Sequence, residues 1–120
     1  MKQTTQNLKY LFPIINQAVF DGELDKPEMK AINLIEMLGI TVTTFGYKDK
    51  DGFAGLTVDL HNVQFVAVVK HHETFEDFVA TFVHELIHVW QAQNGKAMNH
   101  KKEFKKMCKK ASKKLGIKIT

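Results

Sequence analysis

Residues 75–93 read FEDFVATFVHELIHVWQAQ, and inside them His84-Glu85-Leu86-Ile87-His88 sets how the rest of the chain is understood. At about 100° per residue, Asp77, Thr81, His84, Glu85, His88 and Gln91 fall within one stripe about 120° wide. Phe75, Phe78, Val79, Phe82, Val83, Leu86, Ile87, Val89 and Trp90 cover the remaining circumference. The spacing predicts a helix buried on most sides rather than a surface amphipath. Unpaired imidazoles and carboxylates are costly to bury, so the stripe must face a cavity, a metal or a partner. Thr74 as N-cap, Glu76 and Asp77 in the first turn, and Asn94-Gly95 as the stop bound this helix.

Four residues apart, His84 and His88 present their imidazoles to one point, which makes them a chelating pair. Neutral imidazoles at a metal–nitrogen distance of about 2.0–2.1 Å suit zinc, Zn2+, and a catalytic zinc takes three protein ligands with one position left to water. Glu85 sits roughly 60° round the helix from His88, where its carboxylate reaches that water without ligating the metal. Its expected role is general base. The competing reading is a pair of core histidines satisfied by backbone carbonyls, with Glu85 simply exposed. Carboxylates are expected as the groups that orient the imidazoles.

Four further histidines are available as a third ligand: His61, His71, His72 and His100. His100 is preferred, because it follows His88 by twelve residues, Asn94-Gly95 lets the chain reverse, and it opens the next helix. His71 and His72 precede the metal helix and lie roughly 15 Å or more from His84, which makes them surface or rim residues. His61, at a strand end, reads as structural or exposed. Glu103 is the second choice of ligand.

Outward from this helix the chain reads as one α+β domain over residues 1–120. A first helix spans residues 5–20, with Leu8, Leu11, Phe12, Ile15 and Val19 at helical spacing and Pro13 kinking or restarting it. Pro27 and Gly39 suggest a helix over 29–38, although the apolar residues there fit neither period cleanly. Ile40–Phe45, Leu56–Leu60 and Val63–Val69 read as strands of a short antiparallel β-meander, with Asp51-Gly52 as a hairpin turn. A last helix runs from His100 to Leu115. Phe104, Met107, Cys108, Ala111 and Leu115 face inward, and lysines cover its outside.

The net charge of +4 conceals a split. Residues 1–95 carry −5 and residues 96–120 carry +9, and there is no arginine. Lysines without arginines favour nonspecific phosphate attraction over base-specific recognition. Lys102, Lys105, Lys106, Lys109 and Lys113 are the candidate nucleic-acid contacts; the plainer reading of them is a solvated face. The lone Cys108 excludes both an internal disulfide and a four-cysteine zinc ribbon, and reads as a small buried hydrophobe. No apolar run is long enough to cross a membrane, and Met1–Gln6 are polar where a signal peptide would be apolar. A cytoplasmic monomer that does not bind membranes is expected. Its small size suits a phage or mobile-element setting, which would make the host cytoplasm the working compartment.

The sequence resembles the SprT-like metalloproteases, the family that includes Spartan. The resemblance rests on Phe20-Asp21-Gly22-Glu23-Leu24, Gly46-Tyr47, Leu56-Thr57-Val58, His84–His88 and His100-Lys101-Lys102-Glu103-Phe104, in that order. It implies a zincin-like fold, zinc on His84, His88 and His100, Glu85 as catalytic base, and proteolysis of a protein or peptide substrate, in Spartan's case of proteins crosslinked to DNA. Two features depart from the family pattern: many relatives carry a C-terminal zinc ribbon or other DNA-binding appendage, and the usual glycine after the third histidine is Lys101. Tyr47, a phenol near a strand end, is the candidate oxyanion stabiliser. The alternatives are a nucleic-acid-binding module and an inactive scaffold, each with a purely structural zinc; neither gives Glu85 a task.

Overall fold

The computed structural model describes residues 1–45 and 54–120, the side chains of 41–45 excepted. The expected Asp51-Gly52 turn and Tyr47 lie outside them. Among the described residues four helices pack around a three-stranded sheet: α1 (Thr5–Phe20), β1 (Glu28–Ile32), α2 (Leu34–Phe45), β2 (Gly55–Leu60), β3 (Val63–Val69), α3 (Phe75–Gln93) and α4 (Lys102–Leu115). The architecture is α+β, with the N-terminal and C-terminal helices in place. No helix among these residues is long and apolar enough to cross a membrane.

The sheet order is β1-β3-β2. β2 and β3 form an antiparallel hairpin, turned by His61 (φ 51°) and Asn62 (φ 66°), both in the left-handed region. β1 runs parallel to β3 with Glu28 opposite Phe65 and Ile32 opposite Val69. The sheet is therefore mixed, and an antiparallel meander is not what forms. Its inner face, with Met29, Val66 and Val68, packs on α3, and α1 and α4 close the same core through Leu8, Ile15, Val19, Phe104 and Ala111. Its outer face carries a smaller cluster, Ile32 and Val69 under Met37 of α2.

Residues 28–45 correct the sequence reading most. A strand occupies 28–32 and a helix 34–45, where a helix over 29–38 and a strand over 40–45 were expected. The deciding signal is a reciprocal cap: Asn33 Oδ1 accepts from the Glu36 N–H at 2.8 Å, and Glu36 Oε1 accepts from the Asn33 N–H at 3.3 Å. With the helix started there, the β-branched residues after Ile40 continue it, since each costs less than about 1 kcal/mol relative to alanine. Gly39, expected as the stop, lies inside it.

Helix α1 runs through Pro13 without restarting. Pro13 and Lys9, whose carbonyl loses its helical partner to the proline, are both exposed, so water can satisfy that oxygen. Thr4 caps the start, and the αL residue Asp21 ends the helix.

Candidate metal centre

Helix α3 forms as its sequence predicts. Thr74 Oγ1 accepts from the Asp77 N–H at 3.0 Å, and at the other end Asn94 Nδ2 donates to the Trp90 carbonyl at 2.8 Å. Gly95, at φ 68°, then turns the chain, and residues 96–101 return antiparallel to the helix end. That return brings His100 against His84 and His88. His88 Nε2 lies 3.1 Å from His100 Nε2, and His100 Nε2 lies 3.2 Å from His84 Nε2. Tetrahedral coordination at about 2.0–2.1 Å separates ligand nitrogens by about 3.3 Å, so the three atoms stand close to the spacing a zinc ion requires.

The far nitrogens fix which tautomer is present. His84 Nδ1–H donates to a main-chain oxygen of Thr120 at 2.6 Å, and His88 Nδ1–H donates to Gln91 Oε1 at 2.8 Å. Both acceptors are oxygens, so each proton sits on Nδ1 and each Nε2 carries a free lone pair. Two lone pairs aimed at one point, with a third imidazole completing it, could hold a metal cation. Gln91, buried among these groups, also donates from Nε2 to the Asn99 carbonyl at 3.1 Å, so a single amide ties His88 to the residue before His100. The orienting groups are thus the Gln91 side-chain amide at His88 and a main-chain oxygen of Thr120 at His84.

Phe104 forms the floor. Its ring stacks on His88 at 4.7 Å between centroids and meets His84 and His100 edge-on, each at 4.8 Å. The one-turn spacing of His100 and Phe104 places a ligand and its support on the same short stretch. Burial, reinforced by the neighbouring imidazoles His84 and His100 and opposed by Gln91, holds the His88 pKa down to about 4. His84 is lowered as well, by burial first; the Thr120 main-chain oxygen opposes this and His100 adds to it. Both are therefore neutral at pH 7, the state a metal ligand needs.

Glu85 lies on the other flank of α3, 6 % exposed, beneath β2. Thr57 Oγ1 lies 2.7 Å from Glu85 Oε1 and 3.1 Å from the Glu85 carbonyl, both within reach of its single hydroxyl proton. Among the described residues Oε2 accepts no hydrogen bond; it lies 3.9 Å from His84 Nε2. Burial raises the carboxyl pKa to about 7, and the Thr57 hydrogen bond only partly offsets that. Gly55 allows this approach: a Cβ there would stand 2.7 Å from Thr81 Cγ2 and 2.9 Å from Glu85 Oε2. Gly55 does not stand out in the sequence, and Thr57 does so only within the Leu56-Thr57-Val58 stretch; their roles come from contact between two elements.

The other candidates fall elsewhere. His61 occupies the β2–β3 turn. His72 Nδ1–H donates to the Val69 carbonyl at 2.7 Å, which leaves Nε2 to accept from Thr81 Oγ1 at 2.9 Å; this histidine is structural. His71 is exposed. Glu103 pairs with Lys96 at 2.9 Å rather than joining the imidazoles. Lys102, Lys105, Lys106, Lys109 and Lys113 are all exposed on α4. Among the described residues, His84, His88 and His100 are the one cluster whose ligand atoms converge closely enough to hold a metal ion.

No curated protein and no solved structure matches this chain. The family comparison does give a match, and it takes in both flanks of α3 and the returning loop: residues 8–120 fit the model of the SprT-like family, to which the chain belongs.

Proposed function

We propose that the protein is a zinc-dependent metallopeptidase that hydrolyses peptide bonds, with His84, His88 and His100 holding the metal and Glu85 as general base. The observation that carries this reading is the Glu85 carboxylate, buried beside three converging imidazoles and tied at Oε1 to Thr57, with Oε2 turned 3.9 Å from His84 Nε2. A structural zinc site is closed by four protein ligands and has no use for a desolvated carboxylate next to it.

When bound, the ion supplies Lewis acidity, polarising the scissile carbonyl and making water acidic enough to attack near neutral pH. Glu85 takes the proton of the attacking water on Oε2 and delivers it to the leaving amine. Its raised pKa suits that exchange, since a base poised near the working pH both accepts and returns a proton. Thr57 keeps the carboxylate from swinging away. Gln91 and Phe104 hold the imidazoles so that their lone pairs stay convergent.

The substrate is a protein or peptide segment, and DNA-associated proteins are the class the charge favours. The lysine side of α4 begins just beyond His100 in the chain, so nucleic acid held by Lys102, Lys105, Lys106, Lys109 and Lys113 would bring proteins bound to it near the centre. The protein works as a monomer in the cytoplasm, that of the host if phage-encoded.

The test is zinc content and cleavage of a loosely folded protein, with and without single-stranded DNA, for the wild type beside Glu85→Gln. One zinc in each protein and cleavage by the wild type alone supports the proposal. Zinc in both, cleavage in neither and salt-sensitive DNA binding in both would instead mean a structural metal in a nucleic-acid-binding module.

A further inference from the structure

Beyond α4 the chain doubles back on itself. Gly116, at φ 70°, turns it, and Ile119 returns to the main core with 4 % of its surface exposed. The Ile119 N–H donates to Ser112 Oγ at 2.9 Å, and Ser112 Oγ in turn donates to the Cys108 carbonyl at 2.8 Å. These two anchors, one apolar and one polar, fix the direction of the next peptide. A main-chain oxygen of Thr120 therefore meets His84 Nδ1 at 2.6 Å, across 36 positions of sequence. Thr120 also walls a cavity of about 230 Å³ that Gly55, Thr81 and Glu85 line from the other sides.

His88 takes its acceptor, Gln91, from its own helix one turn away. The Nδ1 of His84 instead takes a main-chain oxygen from the tail. A neutral imidazole without an acceptor at Nδ1 also populates the Nε2–H form, which cannot ligate a metal through Nε2, and its ring is free to turn. We infer that residues 116–120 form a strap that positions His84: the main-chain oxygen of Thr120 holds the ring in its Nδ1–H tautomer with Nε2 directed at His100. Thr120 is thus a positioning residue acting through its main chain, and its side chain has no part in this. The inference rests on the metal-centre reading proposed above for its consequence, though not for the contact itself.

Two variants test it. Ser112→Ala removes the acceptor that docks the Ile119 N–H. A chain ending at Ile119 removes the Thr120 oxygen and leaves the core anchor in place. Nitrogen-15 NMR of the metal-free protein at pH 8 reads each histidine tautomer, and competition with a chromophoric chelator reads zinc affinity. In the wild type His84 is expected as the Nδ1–H form. Both variants should lose that preference while His88 keeps its own, zinc affinity should fall about tenfold or more, and Thr120→Ala should match the wild type. An Nε2–H tautomer at His84 in the wild type, or undiminished zinc affinity in the chain ending at Ile119, overturns the strap. Failure of the wild type to bind zinc, with the His84 tautomer still answering to both variants, supports the strap and removes the metal reading alone.

Discussion

The flank of α3 that faces α4 and the flank that faces β2 hold their polar groups on opposite terms. On the first, three imidazoles rest on Phe104, and His84 and His88 are tied only through the nitrogen turned away from the centre. On the second, Glu85 is pressed under a glycine-opened strand and tied through one carboxylate oxygen to Thr57. Burial favours the neutral form on both sides, lowering the histidine pKa values and raising that of the glutamate. The neutral form is the competent one for a ligand and the incompetent one for a base. On the proposed reading, metal affinity and proton transfer therefore depend on different neighbours, and substitutions should separate them.

The sharpest separation comes from His100→Ala beside Glu85→Gln. The first should lose stoichiometric zinc and with it all cleavage. The second should keep zinc and lose about 10²–10⁴-fold in kcat, the usual contribution of a general base. If Glu85→Gln also loses its zinc by elemental analysis, the two flanks are not separable. Next in size, Phe104→Ala should cost about 3–5 kcal/mol in urea unfolding of the metal-free protein, since it empties a site 2 % exposed. It should also weaken zinc binding; an unchanged affinity would show that the imidazoles do not need their floor.

The opposite pKa shifts give a prediction whose sign can be worked out. His88 falls from 6.5 to about 4 on folding, so its contribution is fully present above 6.5 and is lost as pH drops toward 4. Glu85 rises from 4.5 to about 7, so the folded state holds its proton more tightly, and the stability this gives below 4.5 is lost as pH climbs to 7. The two slopes oppose each other between pH 4.5 and 6.5. Glu85→Gln should therefore make the stability of the metal-free protein rise more steeply with pH across that range, by up to about 1.4 kcal/mol per pH unit. Identical slopes in urea titrations of the two proteins would mean that Glu85 titrates alike in both states. Smallest of the set, Gln91→Ala should weaken zinc about 10–100-fold with little change in the cavity around Glu85. A loss of cleavage at saturating zinc would instead show that Gln91 serves both flanks.

What the sequence disclosed and what it concealed follow from the range of the forces involved. Helix α3 was legible to the residue because its period, caps and first-turn acids all agree. His100 was legible because the Asn94-Gly95 turn constrains where the chain can go next. Residues 28–45 were misread because Pro27 and Gly39 are weak signals, while the Asn33–Glu36 box went unread. β1 became a strand because β3 offers it a parallel edge, and a parallel partner leaves no local trace. The roles of Thr57, Gly55 and the Thr120 main-chain oxygen were out of reach for the same reason: each acts on α3 from a distant part of the chain.

Phe104 belongs both to the centre and to the main core, where it packs with Cys108 and Ala111 of the same helix. Substitutions that crowd or hollow that interior, although they touch no ligand, would tilt the ring on which three imidazoles rest. In a population of variants, drift in the packing of α4 should therefore surface as a metal-loading defect before it surfaces as misfolding. The zinc occupancy of this protein would then gauge how well its interior is built.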